Sequence, residues 1–433
     1  VTAHRYDVVA VGGGPANLSL AALYGTAAGR PMPVLERASG PGWHPGLLLP
    51  GARLQTSWVK DLVSLVDPRH ELGFLNYIVS TGRIYAFLNA QFDAIPRLEY
   101  ARYLRWAADR LDVRYGTGVE EVSYDGEFLA WSAGQVVART RHLVLGLGTV
   151  AHVPPCFGGR GTPGVLLAEQ LAGRLDELDR HRADPVIVVG GGQTGAECVL
   201  VLLQRGFSDV QWIGRRHWFA PLDDSPSAND LFRPSYARFF QGLPAAVRET
   251  LLRDQVLTSD GVSMSSLQEI YQTQYEGFLR EGRSPLILLP GREVVAVRSR
   301  GGVISMRCRL STGGQEFRET RHVVLATGRR PTPLPLAPGL AELIETDRTG
   351  QPVVEDDYRL RWKHGDQNRI YLQNRSRLTH GVNDPNLSLL SVRAALIVNS
   401  LLDRDAYTIV DEQNFTYWPT AHFDEQEGRT RGL

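Results

Sequence analysis

The chain has 433 residues, 43% hydrophobic and 22% charged, and its 47 basic and 47 acidic side chains cancel. This length suits two or three domains of ordinary globular composition. No block of like charge supports bulk attraction to nucleic acid or an anionic membrane, and no apolar run reaches the roughly 18 residues of a membrane span. The cysteines (Cys156, Cys198, Cys308) form no C-x-x-C pair and no metal-ligand spacing. Neither a disulfide reductase nor a metal site is therefore expected, and a reducing cytoplasm is. The sequence enters a strand almost at once, so no signal peptide is expected.

In chain order, "YDVVAVGGGPANLSLAALYG" reads as an apolar strand, a glycine turn and a helix. Gly12 permits the tight turn, Gly14 lets the backbone approach a pyrophosphate, and the helix that Pro15 opens offers its N–H groups to it. Asn17 stands where the third glycine is usual and is expected to loosen helix packing. Glu36 lies 24 residues after Gly12 (36 − 12), where a carboxylate takes a ribose hydroxyl. The bland alternative is an ordinary glycine-rich βα turn. In "LQTSWVKDLVSLVDP", Lys60 sits among Trp58, Val59, Leu62, Val63, Leu65 and Val66. A lysine in apolar surroundings needs a negative partner, unless it snorkels to solvent.

A strand at "HLVLGLGTVAHVPP" (142–155) ends in prolines and suits a crossover between domains. "PVIVVGGGQTGAECVLVLLQRG" then repeats the first signature, about 178 residues on (190 − 12), with G-x-G-x-x-G complete in Gly190, Gly192 and Gly195, and Gln193 and Thr194 between. Arg215 and Arg216 stand at the end of the next strand, where an acid would read NADH. Arginine there accommodates a 2′-phosphate, which predicts NADPH; the alternative is a solvated basic turn. Residues 223–282 read as mainly helical, with Leu267, Ile270, Tyr271, Tyr275 and Phe278 at helical spacing. "HVVLATGRRPTP" (322–333) is a second crossover strand, and the charged tail after Asp424 is expected to fray. Two dinucleotide sites imply electron transfer from NADPH to a bound flavin.

The residues resemble the microbial flavin-dependent N-hydroxylating monooxygenases of siderophore biosynthesis, which act on the side-chain amine of lysine or ornithine or on diamines. The resemblance covers nearly the whole chain and is carried by "GGGPANLSLAAL", "WHPGLLLPGARLQTSWVKDLVSLVDP", "YLRWAADRL", "VVGGGQTGAE", "DDSPSANDLF", "TSDGVS", "LATGRRP" and "THGVNDPNLSLLSVR". It implies that NADPH reduces FAD, that O₂ adds to the flavin as a C4a-hydroperoxide, and that a neutral amine attacks the distal oxygen. It implies that Lys60 binds the α-carboxylate of an amino-acid substrate, since diamine-specific relatives carry a small residue there. Asn229 matches an asparagine between the amine and the nicotinamide ribose, Gln55 a glutamine near the flavin ring, and Ser388 a serine near substrate and flavin. These three are expected at the reacting centre. Trp43, His44 and Pro45 match the segment lining the flavin, with His44 either a proton relay or a structural histidine. Thr327 and Gly328 are implied in cofactor binding, and His380 in ordering a turn. Thr258 and Ser259 are implied in substrate binding; "TSDG" matches lysine-type members, where ornithine-type members carry "NYS".

The expected fold is α/β, with two Rossmann-like dinucleotide-binding domains. The FAD domain is built from 1–165 and 321–433, the NADPH domain from 166–320, and the small helical substrate region spans about 223–282. The expected activity is NADPH- and O₂-dependent N6-hydroxylation of L-lysine, feeding a hydroxamate siderophore or an N–N bond-forming pathway. Alternatives are the same reaction on ornithine, cadaverine or putrescine, a flavin monooxygenase attacking a ketone or thioether, and an FAD-dependent NADPH oxidase or diaphorase. The resemblance also implies a homo-oligomer, tetramer or dimer.

Overall fold

The computed structural model describes residues 4–159, 161–410 and 415–419; the tail expected to fray lies outside them. β1 (Arg5–Val11) is the apolar run before the first glycine turn, and its last four residues are buried. α1 (Pro15–Ala28) follows, with Pro15 in the first turn, where a missing N–H leaves no helix bond unmade. Next come β2 (Val34–Leu35), α2 (Arg97–Ala108), β3 (Val113–Arg114), β4 (Glu121–Tyr124), β5 (Phe128–Ser132) and β6 (Gln135–Leu145). They lie in the order β3-β2-β1-β6-β5-β4. β1 pairs in parallel with β2 on one side and β6 on the other, so the first glycine turn sits at the point where the strand order reverses.

β7 (Thr149–Ala151) leads to a second sheet formed by β8 (Val165–Leu167), β9 (Val186–Val189), β10 (Val210–Ile213) and β11 (Leu286–Leu289), with α3 (Ala168–Leu178), α4 (Gln193–Gln204) and α5 (Met264–Glu281) between them. A meander, β12 (Arg292–Arg300), β13 (Val303–Leu310) and β14 (Gln315–Thr320), precedes β15 (His322–Leu325). The second sheet is parallel throughout, in the order β11-β10-β9-β15-β8. Because β15 pairs with β9 from His322 opposite Val186 to Leu325 opposite Val189, the inserted unit extends beyond the boundary expected at 320. The chain returns through β16 (Arg329–Pro331), which pairs with β7. β17 (Ile370–Leu372) then adds to the first sheet beside the carboxyl half of β6. α6 (Leu390–Leu402) packs against α1 in the same core, burying Leu390, Ala394, Ile397 and Val398.

Between β10 and β11 the chain is helical, as its apolar spacing suggests, in four pieces: Pro226–Asn229, Pro234–Gln241, Ala245–Asp254 and α5. The expected apolar stripe of α5 is only partly covered. Ile270 is fully buried, whereas Tyr271, Tyr275 and Phe278 are 56%, 64% and 53% exposed. Among the described residues, no helix is long and apolar enough to cross a membrane.

Candidate active site

At the first turn, Gly12 has φ +101°, and a Cβ there would lie 2.3 Å from the Gly146 carbonyl oxygen, so no larger residue fits. A Cβ on Gly14 would meet nothing within 4 Å, leaving open space before the first turn of α1. The Glu36 carboxylate accepts from the backbone N–H of Gly13 (2.5 Å) and Ala38 (2.8 Å) and fixes the turn from outside. Asn17 does the opposite of loosening it. Fully buried, its Nδ2 donates to the carbonyls of Val11 (2.9 Å) and Gly12 (2.8 Å), and its Oδ1 accepts from Gln373 Nε2 (2.6 Å). Its side chain therefore shapes the turn and has no hydrogen-bonding end turned outward.

That last bond leads to residues that sequence reasoning missed. Gln373 Oε1, Asn374 Oδ1, Arg375 Nη2 and Ser376 Oγ, four consecutive residues after β17, are shielded from solvent without a hydrogen-bond partner. Each such group costs roughly 1–3 kcal/mol unless something pairs with it. A run of them beside the glycine turn fits the polar surface of a bound FAD.

The flavin-lining segment is held by neighbours. Trp43 packs edge-on against Tyr100, ring centroids 5.2 Å apart. Pro45–Leu47 forms a short 3₁₀ turn, and a Cβ on Gly46 would lie 1.7 Å from the Glu169 carbonyl oxygen, so only glycine lets the segment dock on α3. His44 is exposed, at a left-handed backbone position (φ 45°) that opens the turn. Desolvation first, then Arg329 and Arg97, push its pKa down to about 4, so the ring is neutral near pH 7. Gln55 is exposed and Lys60 half-buried. The segment between them and Phe74 is organised by Asp61, 2% exposed. Its carboxylate accepts from the N–H groups of Val63 (2.9 Å), Ser64 (2.7 Å) and Phe74 (2.6 Å) and from Ser64 Oγ (2.7 Å). Asp61 is a second residue the sequence did not flag. Of the apolar neighbours of Lys60, Leu62 and Val63 are fully buried, while Val59 and Leu65 are more than 40% exposed.

At the second turn, a cleft of about 730 Å³ is lined by Gly190, Gly192, Gln193, Thr194, Arg215, Arg216, Ser259, Thr327 and Gly328. A Cβ on Gly195 would lie 2.0 Å from the Gly190 carbonyl oxygen, so no larger residue fits there. Arg216 donates to the Asp260 carbonyl (3.1 Å), and Arg309 and Ser311 line a recess shared with Arg215 and Arg216. NADPH fits this donor set: a glycine cradle at a helix N-terminus with paired arginines at the edge. Cys156 also lines the cleft, but burial raises its thiol pKa and its Sγ meets the Val294 carbonyl at 3.4 Å.

Not all expected residues converge there. Lys60, Gln55, Asn229 and Ser388 lie outside the cleft lining. Asn229 donates from Nδ2 to the carbonyls of Asp224 (2.9 Å) and Ser225 (3.2 Å), so its Oδ1 is the end available to a ligand. Thr258 Oγ1 donates to the Gln255 carbonyl (2.8 Å), and Ser259 Oγ accepts from Arg377 Nη2 (3.1 Å). Ser388 is buried, and its backbone N–H donates to Asn386 Oδ1 (2.7 Å). His380 stacks on Tyr358 at 4.0 Å, and burial lowers its pKa. A buried Arg393–Asp384 ion pair braces the same block.

The two halves are tied together by Arg97. Its Nη1 donates to the Leu47 carbonyl (2.9 Å), and its guanidinium meets Glu197 of α4 bidentately (2.9 and 2.7 Å). Gln193, at the start of α4, donates to Glu197 (3.1 Å) and accepts from the Ser263 N–H (2.8 Å).

A flavin site completed by the last quarter of the chain, with an NADPH site inserted between its parts, defines a two-dinucleotide flavoprotein oxidoreductase that uses FAD and NADPH. The chain belongs to the L-lysine 6-monooxygenase/L-ornithine 5-monooxygenase family, whose model matches residues 4–331. It is 34% identical to the L-lysine N6-monooxygenase of Escherichia coli over 415 residues, covering 93% of this chain and 96% of the relative. It is similar in structure to the FAD-bound cadaverine monooxygenase of desferrioxamine biosynthesis from Erwinia amylovora (TM-score 0.89, 28% identity, 96% of this chain and 99% of the other). It is also similar to the ornithine N-hydroxylase of a Kutzneria species with reduced FAD, NADP⁺ and L-ornithine (TM-score 0.86, 27% identity, 92% and 99%). The protein is an FAD-dependent N-hydroxylating monooxygenase acting on an aliphatic amine.

Proposed function

We propose that the amine is the ε-amine of L-lysine, hydroxylated at N6 at the expense of NADPH and O₂. Lys60 carries this reading: a half-buried cation on a segment fixed by Asp61 pairs with the α-carboxylate of an amino acid and repels the second ammonium of a diamine. FAD at the first turn and NADPH at the second supply the hydride and oxygen chemistry. Lys60 anchors one end of the substrate, which leaves the amine at the far end to be positioned. The Asn229 Oδ1 accepts an N–H from the amine in its neutral, nucleophilic form. A free ε-amine titrates near 10.4, so favouring that form at pH 7.4 calls for roughly 4 kcal/mol of desolvation and cationic surroundings. Gln55, Ser388 and the Trp43–Pro45 segment exclude water around the reacting atoms. Thr258 and Ser259 shape the loop beside the substrate. The lysine N6-monooxygenase from E. coli, at 34% identity, supports this reading; the cadaverine monooxygenase supports a second, in which the substrate is a diamine.

Coupled turnover with NADPH and O₂, quantifying hydroxylamine and hydrogen peroxide, separates them when L-lysine, L-ornithine, cadaverine and putrescine are compared. Hydroxylamine from L-lysine above the other three is expected. Product from a diamine but from neither amino acid refutes the carboxylate role of Lys60, and peroxide alone with every amine refutes hydroxylation.

A further inference from the structure

On the inserted unit, three side chains of the types that hold metals meet from two chain segments, at the opposite end of β9 from the second glycine turn. His181 ends the turn Asp179–His181 after α3, Asp184 lies just before β9, and His322 opens β15. His181 and His322 are 141 residues apart (322 − 181), so no local spacing announces the pair. His181 Nδ1 stands 3.3 Å and His322 Nε2 3.8 Å from Asp184 Oδ2, and the three ligand atoms lie within 4.8 Å of one another. We propose that His181, Asp184 and His322 form a binding site for one divalent transition-metal ion of the Zn²⁺, Co²⁺ or Ni²⁺ type.

The two separations from Asp184, 3.3 and 3.8 Å, are close to those of a metal site, and the third, within 4.8 Å, closes as the two histidines draw in on an ion. With ligands about 2.0–2.1 Å from a tetrahedral Zn²⁺, neighbouring ligand atoms stand about 3.3–3.4 Å apart. At 3.8 Å His322 Nε2 does not hydrogen-bond to Asp184. That nitrogen is shielded from solvent and has no other partner. A buried ring nitrogen facing a carboxylate without reaching it is what an intervening cation would satisfy. The cluster is also held in place by groups outside it. Thr320 Oγ1, buried, donates to the Pro185 carbonyl (2.5 Å) and accepts from the His322 N–H (3.1 Å), fixing the start of β15 against the residue after Asp184. The Asp184 N–H donates to the His181 carbonyl (2.9 Å), closing the loop that carries the other two ligands.

Ligand type sets the class of ion. Two imidazole nitrogens and one carboxylate oxygen suit borderline divalent metals and disfavour Mg²⁺ and Ca²⁺, which prefer all-oxygen shells. His181 and Asp184 are partly exposed, so water fills the remaining position and the ion exchanges with solvent. Location sets the consequence. The ligands lie where β9 and β15 begin, whereas Gly190, Thr327 and Gly328 follow the ends of those strands. An ion here pins the α3–β9 connection to β15 without entering the NADPH cleft.

The test uses the chelator-treated holoenzyme, titrated with Zn²⁺ by calorimetry and with Co²⁺ by visible absorption. One equivalent should bind per chain, with the intense absorption of a tetrahedral Co²⁺ site and a raised Tm. His322→Ala and Asp184→Asn should each weaken binding at least tenfold and abolish the Tm rise. His181→Ala, at a more exposed position, should do the same with the fold intact, and His4→Ala should change nothing. The Kd for NADPH should be the same with and without Zn²⁺. Absence of saturable binding, or affinity retained in His322→Ala and His181→Ala, overturns the site; loss of NADPH binding on Zn²⁺ addition overturns its separation from the cofactor cleft.

Discussion

Replacing Glu197 by alanine tests how firmly the two cofactor sites are held together. The Arg97 and Glu197 side chains are 15% and 5% exposed, so their bidentate contact is largely out of water. Removing one partner of a buried pair leaves the other charge uncompensated and costs roughly 3–5 kcal/mol; the residual exposure of Arg97 places this case near the lower end, about 3 kcal/mol. The damage has a direction. Arg97 still holds the Leu47 carbonyl, but Gln193 at the NADPH turn loses the acceptor that ties it to the flavin-lining segment. Urea unfolding should show the loss of stability, and a double-mutant cycle with Arg97→Ala should give a coupling of about 2 kcal/mol. In anaerobic stopped-flow, flavin reduction by NADPH should slow while FAD content and the Kd for NADPH stay near wild type, because the cofactors remain bound but less well aligned. Wild-type stability together with a wild-type reduction rate would refute the coupling.

Lys60→Ala should raise the KM for the amino-acid substrate at least tenfold while NADPH still reduces the flavin at close to the normal rate; an unchanged KM removes Lys60 from substrate binding. Arg215→Ala should raise the KM for NADPH more than that for NADH, and equal effects would remove the 2′-phosphate assignment. His142 is buried, and its Nδ1 accepts from the Arg369 N–H (3.0 Å), which requires the neutral ring. Burial, then Arg141 and Arg369, push its pKa down to about 4 from 6.5. Its contribution, on the order of 3 kcal/mol, is therefore present above about pH 6.5 and lost as pH falls towards 4. The urea midpoint should drop between pH 7 and pH 4.5, and His142→Gln should flatten that drop; an equal drop in the variant would assign the acid lability to other groups.

What the sequence carried was whatever physics makes local. A glycine turn after an apolar strand has to be a close approach, and both turns are, down to the Cβ positions that Gly12 and Gly195 exclude. The arginines after β10 stand at the cleft because the strand end delivers them there. Contacts between distant segments left no local trace. Arg97 and Glu197 are 100 residues apart, and each alone reads as a charge on an amphipathic helix. Asn17 reads as a defect in a motif, since its partner Gln373 lies 356 residues away. The unpartnered atoms at 373–376 lie beside the first turn only because β17 joins the first sheet, a long-range pairing with no local signature. Asp61, by contrast, was legible in principle: "DLVS" is a side chain poised to accept the N–H groups two and three residues on.

The bond between Asn17 and Gln373 also fixes an order of events during synthesis. The inserted sheet is complete in sequence once Leu325 has been made. The sheet that begins at Arg5 then still lacks β17 and α6, and its glycine turn lacks the amide that braces Asn17. A nascent chain can therefore assemble its nucleotide-reductant module while its amino-terminal module waits, half-built, for β17 and α6. Since domains generally fold as units, the first sheet and the glycine turn it carries can close only after the segment holding β17 and Gln373 has been made.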